Sequence, residues 1–308
     1  MDKQFLILPH LKVNGANALN SLYSVGFPAM TAFLGFGHAL ERMVEHLKVI
    51  SVGVVVHQAD FQAAYDRRFH SWAIKAKKFP LIHARKPTYA GEVSSDSFQP
   101  RAYVHLDVSL ILECGDIPRE ARQDVKENIG STLSHLRLAG GTITNFQRPR
   151  FLFCDNDSDI FWKNRKARCN EALRAVMPGF ALIQRNDILD DLAKEGKGDA
   201  LDRIFYATSS TSTPVEVGKD TVRYQRERHI KGWLIPLAVG FHDLSGAMTV
   251  EKQRSYDAEH HFVEPLISLC EFRMPHRFQS IDEILWHYEY DSAQRNYLCV
   301  NNNHMEKE

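Results

Sequence analysis

Apolar positions along this chain follow two periods, and the switches between them predict the elements of its N-terminal half. Phe5 to Val13 alternates loosely and contains Pro9, which cannot donate to a ladder, so the run reads as an edge strand or a bulge. A loop rich in Asn, Ser and Gly spans Asn14 to Pro28. From about Thr31 to Leu47 the spacing becomes helical, with Phe33, Phe36, Leu40, Val44 and Leu47 on one face. Gly35 and Gly37 each weaken that helix by ~1 kcal/mol relative to Ala, which points to a close backbone approach there. Ile50 to His57 returns to alternation, with Ile50, Val52, Val54 and Val56 on one side. In Tyr103 to Glu113, Val104, Leu106, Val108, Leu110 and Leu112 face one way and His105, Asp107 and Ser109 the other, the pattern of a sheet with one buried and one polar face. Pro118 to about Leu136 is a second helix, built on Ala121, Val125, Ile129 and Leu133, and Gly140-Gly141 stops the chain soon after.

The order is therefore strand, helix, strand, long insertion, strand, helix. A fourth strand completes a ferredoxin-like arrangement, whose open sheet face suits single-stranded RNA. The C-terminal half is less regular. A helix is expected over Asp159 to Met177, strands over Phe180 to Arg185 and Trp233 to Phe241, and a Ser/Thr-rich loop over Ala207 to Pro214. Ser280 and Glu283 form a capping-box pattern before Ile284, Leu285 and Tyr288. The expected class is α+β: a modified ferredoxin-like core over 1–57 and 103–185, an insertion over 58–102, a C-terminal α/β part over 186–300 packed on the core, and a disordered tail over 301–308.

Composition adds limits. In 308 residues no apolar run approaches a membrane span, and the start Met1-Asp2-Lys3 carries no signal-peptide pattern. Five cysteines (Cys114, Cys154, Cys169, Cys270, Cys299) form no CxxC pair, so neither a disulfide framework nor a zinc site is expected, and a cytoplasmic setting fits. Lys plus Arg and Asp plus Glu each number 38, but the charges are sorted. Arg67 to Lys86 holds seven Lys or Arg and no acid, whereas Asp187 to Asp202 holds six acids and two lysines. Local charge, not the sum, decides nucleic-acid binding.

Catalytic signatures are missing. Among fifteen histidines there is no HExxH or zinc-finger spacing, and GxSxG, Walker A and GxGxxG do not occur. Surface or hydrogen-bonded histidines are the simplest reading, and no metal or cofactor is expected. A metal-independent endoribonuclease using His38, Tyr23 and Lys12 is the alternative, since spacing alone does not exclude it. The insertion carries more signal. Arg67, Arg68, Lys75, Lys77, Lys78, Arg85 and Lys86 are interleaved with Phe69, Trp72 and Phe79, cations for phosphates and rings to stack on or split bases. The competing reading is a solvated loop whose aromatics pack on the body. Gly140-Gly141 reads as a turn, as a backbone approaching a phosphate, or as both, with Arg137 just before it.

Ordered segments along almost the whole chain carry a resemblance: LILPHLKVNGANALNS at 6–21, GFPAMTAFLGFGHALER at 26–42, AYVHLDVSL at 102–110, LRLAGGTI at 136–143, MPGFALIQR at 177–185, GWLIPLAVGFHDLS at 232–245, FVEPLISL at 262–269, PHRF at 275–278 and ILWHYE at 284–289. In these the chain resembles the RNA 5′-handle-binding subunit of type I-F CRISPR surveillance complexes, the second protein of the Csy set and one of the repeat-associated RAMP proteins. Segments 58–101 and 186–231 match poorly. The resemblance implies a modified ferredoxin-like fold with a thumb inserted at 58–102. It also implies a non-catalytic role: gripping the crRNA 5′ handle, pairing with the large subunit beside the backbone subunits, and meeting target DNA through the assembled complex in antiviral defence. Sequence specificity then lies in guide pairing. By matched position, Asn17, Gly26, Phe27 and Pro28, and Arg137, Gly140 and Gly141, are expected to contact RNA. Arg67, Arg68, Lys75, Lys77 and Lys78 are added by position in the insertion.

Overall fold

The computed structural model describes residues 4–21, 24–67, 71–74, 77–80, 98–153, 171–218, 221–251, 253 and 257–301. Strand β1 (Gln4–Asn17), helix α1 (Met30–Met43) and β2 (Val49–Phe61) open the chain. Two short antiparallel pairs follow, β3 (Ala63–Asp66) with β4 (Ser71–Ile74) and β5 (Lys77–Pro80) with β6 (Phe98–Arg101). Next come β7 (Tyr103–Cys114), α2 (Arg122–Leu133), β8 (Arg137–Leu138), β9 (Gly141–Asn145) and β10 (Arg150–Phe153). The C-terminal half supplies β11 (Phe180–Gln184), helices Asn186–Lys194 and Ala200–Thr208, the antiparallel pair β12 (Ser210–Gly218) and β13 (Thr221–Arg228), and β14 (Leu234–Asp243), β15 (Val263–Arg273), β16 (Leu285–Asp291) and β17 (Asn296–Asn301). The class is α+β. The helix expected over Asp159 to Met177 lies mostly outside the described residues, as does most of the tail.

Eleven of the described strands form one antiparallel sheet. Strand β1 is central in it, with β7 on one side and β10 and β9 along the other. It is not an edge. Pro9 sits in a register shift between Leu8 and Leu11, so the bulge absorbs the missing donor, and Pro9 O accepts from Gln147 N instead. Strand β2 pairs along β7 on one side. On its other side it pairs first with β16 (Val52 and Gly53 opposite Trp286 and Leu285) and then with β11 (Val55 and Val56 opposite Ala181 and Phe180). The path β11-β15-β14-β17-β16-β2 therefore closes on itself through β11–β2. The strand expected over Trp233 to Phe241 is present as β14, and the C-terminal half is otherwise more regular than its pattern suggested: Pro265 lies within the β15 ladder, and the loop expected over Ala207 to Pro214 is instead the end of the Ala200–Thr208 helix and the start of β12.

Helices α1 and α2 cover one face of β1, β2 and β7 through Phe33, Phe36, Leu40, Ile129 and Leu133, all buried with Leu6, Leu8, Val54 and Leu110. Helix α1 approaches β2 closely at Gly37, where an added Cβ would lie 3.0 Å from Val49 Cγ1. The opposite face, expected to be open and polar, is covered along half its length. Phe5, Ile7, Val55 and Ile111 are buried there under Leu173, Val176, Ile281 and Ile284. Ser280 and Glu283 do make a capping box, but it heads a four-residue 3-10 turn (Ile281–Ile284) and not a longer helix. Pairing with β2 takes over at Leu285, and Trp286, fully buried, donates from Nε1 to Leu182 O at 2.9 Å.

The bulge in β1 also builds a polar node on the half-covered face. His10, at φ 48°, stacks on His57 with centroids 4.0 Å apart and bonds Asp107 Oδ1 through Nδ1 at 3.0 Å. His57 donates from Nδ1 to Pro178 O at 2.6 Å, which leaves Nε2 to accept from Ser109 Oγ at 2.6 Å. Burial holds the His57 pKa below its ordinary 6.5, and the neighbouring His10 charge adds to this, against the opposing pull of Pro178 O and Asp107.

Two outcomes are expected. An alanine Cβ at Gly141 would lie 2.6 Å from Val13 Cγ1 and 2.7 Å from Ala16 N, so Gly141→Ala should destabilise by about 2 kcal/mol in urea unfolding. His57 is neutral in the fold, so its contribution is fully present above the unfolded value of 6.5 and declines as pH falls through the lowered folded value. Unfolding free energy measured from pH 7.5 downward should fall below pH 6.5, and His57→Gln should flatten that part of the profile.

Candidate nucleic-acid interface

The turn after β8 begins the site. Ala139 (φ 49°) and Gly140 (φ 76°) are both left-handed, the requirement of a two-residue type I′ hairpin, so β8 folds straight back as β9. Alanine in that conformation costs about 1–2 kcal/mol, strain of the kind that gathers at functional turns. Ala139 O accepts from Asn17 N at 2.9 Å, which ties the hairpin to the end of β1. Asn17 then spends its side chain on the next turn: Oδ1 accepts from Leu19 N and Nδ2 donates to Leu19 O. The Gly-Phe-Pro turn is pinned as firmly. Gly26 N donates to Ala18 O, Asn20 Nδ2 donates to Phe27 O, and the buried Phe27 ring lies parallel to Phe33, with centroids 5.4 Å apart.

These turns surround an open cleft of about 640 Å³. Asn17, Pro28, Arg137 and Gly140, four of the residues expected to meet RNA, line it together. Gly26 and Phe27 border an adjoining depression instead, and Gly141 is buried against β1. Arg67 is exposed at the turn after β3. Lys77 and Lys78 belong to β5, whose ladder sets Lys77 opposite Arg101. Arg68 and Lys75 lie outside the described residues.

The cleft also contains residues the sequence did not assign to RNA. Arg101 enters from the end of β6 and Tyr103 from the start of β7. Burial pushes the Tyr103 hydroxyl pKa up, with the Arg101 charge opposing, so the ring stays neutral. Gly35 is not the site of close backbone approach its pattern suggested: it forms part of the wall, and a Cβ there would meet nothing within 4 Å. The space beside this helical glycine is cleft. Asn20 also lines the cleft, and its Oδ1 is buried without a hydrogen-bond partner among the described residues. The signals were present but faint: a glycine inside a helical pattern, and one arginine just before a strand.

The electrostatics favour an anion. Two exposed arginines line the cleft, and none of its described lining residues is acidic. Helix α1 begins here, at Ala29, with no side-chain cap and no acid in its first turn, so its N-terminal dipole adds positive potential. The His10–His57–Asp107 node is a different matter. Its three ligand-type atoms lie within 4.8 Å, but stacked rings direct their in-plane lone pairs alongside one another, and both His57 nitrogens are already hydrogen-bonded. The arrangement suits a hydrogen-bonded brace better than a metal. The described cysteines, Cys114, Cys270 and Cys299, are buried free thiols, with Cys114 and Cys299 pushed up to about 12 by burial.

No helix among the described residues is long and apolar enough to cross a membrane. Comparison with known proteins gives two findings. A relative described as CRISPR-associated protein Csy2, from Pseudomonas aeruginosa (strain UCBPP-PA14), is 29% identical over 308 residues, covering 92% of this chain and 90% of that protein. The family model described as CRISPR-associated protein (Cas_Csy2) matches residues 6–299, which takes in β1, the cleft and the sheet up to β17. This chain therefore belongs to the Csy2 family of CRISPR-associated proteins, subunits of type I-F Csy complexes.

Proposed function

We propose that the chain is a non-catalytic subunit that grips the 5′ handle of crRNA in the cleft and pairs with the large subunit, next to the backbone subunits, so that the assembled complex recognises target DNA. The observation that carries this reading is the convergence of Asn17, Pro28, Arg101, Arg137 and Gly140 from four separate stretches of sequence on one cleft at the start of α1 whose described lining holds no acid. Phosphate oxygens match its arginines and helix N-terminus, and fixed backbone turns hold a strand without reading its bases. The strand order β2-β7-β1-β9, antiparallel throughout, supports a ferredoxin-like core in the RAMP manner. The two short pairs between Phe61 and Tyr103 are then the thumb, with Arg101 at its root. The endoribonuclease alternative draws less support. Neither Lys12 nor His38 lines the cleft, His38 packs on Tyr288 with centroids 4.9 Å apart, and Tyr23 lies outside the described residues.

The experiment is co-expression with the other complex subunits and a crRNA, followed by purification and quantification of bound RNA. Arg101→Glu with Arg137→Glu should cut RNA recovered with the complex by about tenfold or more, since two phosphate contacts are reversed. Unchanged loading would sink the cleft assignment, and cleavage of repeat RNA by the isolated chain in EDTA would sink the non-catalytic role. A second expectation separates binding from stability. Gly35→Gln should strengthen helix α1 by roughly 0.5–1 kcal/mol, visible as a raised melting temperature, while its side chain enters the cleft and weakens RNA retention severalfold.

A further inference from the structure

The cleft does not end at Tyr103. That residue also lines a shallow groove of about 590 Å³, which runs past Phe61, Val25 and Gly26. Those three residues in turn line a deeper depression of about 420 Å³ walled by Trp233, Phe180 and Phe272. One continuous trough thus runs from the arginines of the cleft to Trp233. Its far end is rigid. Trp233 meets Phe180 edge-on with centroids 5.2 Å apart and Phe272 with centroids 5.5 Å apart, yet half of its surface is exposed, at 50%. Phe61, across the mouth, is 41% exposed. Aromatic faces held in place and left wet are prepared for something flat.

Charge along the trough identifies what that is. Cations stand at both ends: Arg101 and Arg137 in the cleft, and beyond Trp233 the exposed Lys231 and Arg228, whose Nη1 donates to Gly232 O at 2.6 Å. Between them, the groove and the depression are lined by no described Lys or Arg, and the exposed Asp60 sits on the groove wall. A phosphate is unwelcome there, and a neutral ring is not. A polyanion that carries neutral flat rings is a single-stranded nucleic acid. The carboxamide of Gln58, exposed at the rim, offers a donor and an acceptor to a base edge.

We propose that the depression between Phe61 and Trp233 takes one unstacked base of the same RNA strand whose phosphates occupy the cleft. This rests on the handle-binding reading above and adds a base subsite to it. A hydrophobic side chain from a partner protein is the competing occupant. It is disfavoured because it would leave the flanking cations and the unbroken connection to the cleft without use.

The test uses the complex assembled from full-length subunits with synthetic crRNA carrying 2-aminopurine at one handle position at a time. One position should be quenched by the stack on Trp233. Trp233→Ala, and independently Phe61→Ser, should restore its fluorescence and speed exchange of the RNA about tenfold, as expected for loss of one base–aromatic stack. Trp233→Tyr should retain the quench. Both side chains are partly exposed, so melting temperatures should stay near that of the parent. If no handle position responds to either variant while the Arg101/Arg137 reversal still strips RNA, the base subsite is wrong and handle binding stands. If a photoreactive amino acid placed at 61 captures a partner protein and not RNA, the subsite is likewise overturned. Should the cleft reversal leave RNA loading unchanged as well, the handle reading itself falls.

Discussion

The structure depends on the buried middle of strand β2 being paired on both sides, at Val52 and Gly53 and again at Val55 and Val56. Strand β7 satisfies one edge along its length, and β16 followed by β11 satisfies the other. Ser51 to Val56 are all buried, so the strand is covered on both faces as well. An unpaired backbone in such a place would strand donors and acceptors away from water. The C-terminal strands are therefore part of what completes the N-terminal sheet. Trp286 marks the junction, laddered to Val52 and hydrogen-bonded to Leu182 O, so that β16, β11 and β2 meet at one buried residue.

That junction explains which parts of the fold were legible in the sequence. Helices α1 and α2 each bury one face, and β2 and β7 carry an alternation of apolar residues along most of their length, a pattern that is hard to misread even where the second face is covered too. Strand β1 was harder, because Pro9 argues for an edge or a bulge and only the tertiary pairing decides between them. Beyond residue 185 the pattern gave the strand over Trp233 to Phe241, present as β14, but not β12, β15, β16 or β17. Proline and glycine inside β14 and β15 are tolerated because a register shift falls between Ala238 and Gly240, and Pro265 lies near the end of its ladder. The box at Ser280 is correct local chemistry overridden one turn later by pairing to β2. Ile50 shows the same limit at the scale of one residue: alternation placed it with Val52, but it is 52% exposed because it falls in the register shift between Val49 and Ser51.

The cleft was legible in part, and for a physical reason. Turns announce themselves through Asn, Gly and Pro, so Asn17, the Gly-Phe-Pro turn and Gly140 could be picked out one by one. That they meet depends on the bulged course of β1 and on the left-handed Ala139–Gly140 hairpin, neither of which has a sequence period. Gly141 shows how adjacent glycines divide the labour. Gly140 turns the chain at the cleft, whereas Gly141 lets β9 lie against Val13 and Ala16. Similarly, Gly37 brings α1 down onto β2 while Gly35, half a turn away, leaves space on the helix side that faces the cleft.

Charge density pointed first to the insertion, and the geometry redistributes its weight. Arg101 is the last residue of β6 and the ladder partner of Lys77, and a single residue separates it from β7. The base of the insertion is thus continuous with a strand of the central sheet, and its arginine belongs to the cleft. A cation on such a root is positioned by the sheet and loses little freedom when it meets a phosphate, whereas a cation at an exposed turn such as Arg67 must be ordered on binding. The same logic separates cleft from trough. Positive charge is fixed where the backbone turns are tight, and aromatic surface is fixed where Phe180 and Phe272 brace Trp233. A strand bound across both would be held by its phosphates at the arginines and by its rings at the tryptophan. Its register would then be set by the spacing of two rigid features and not by base-edge readout along its length.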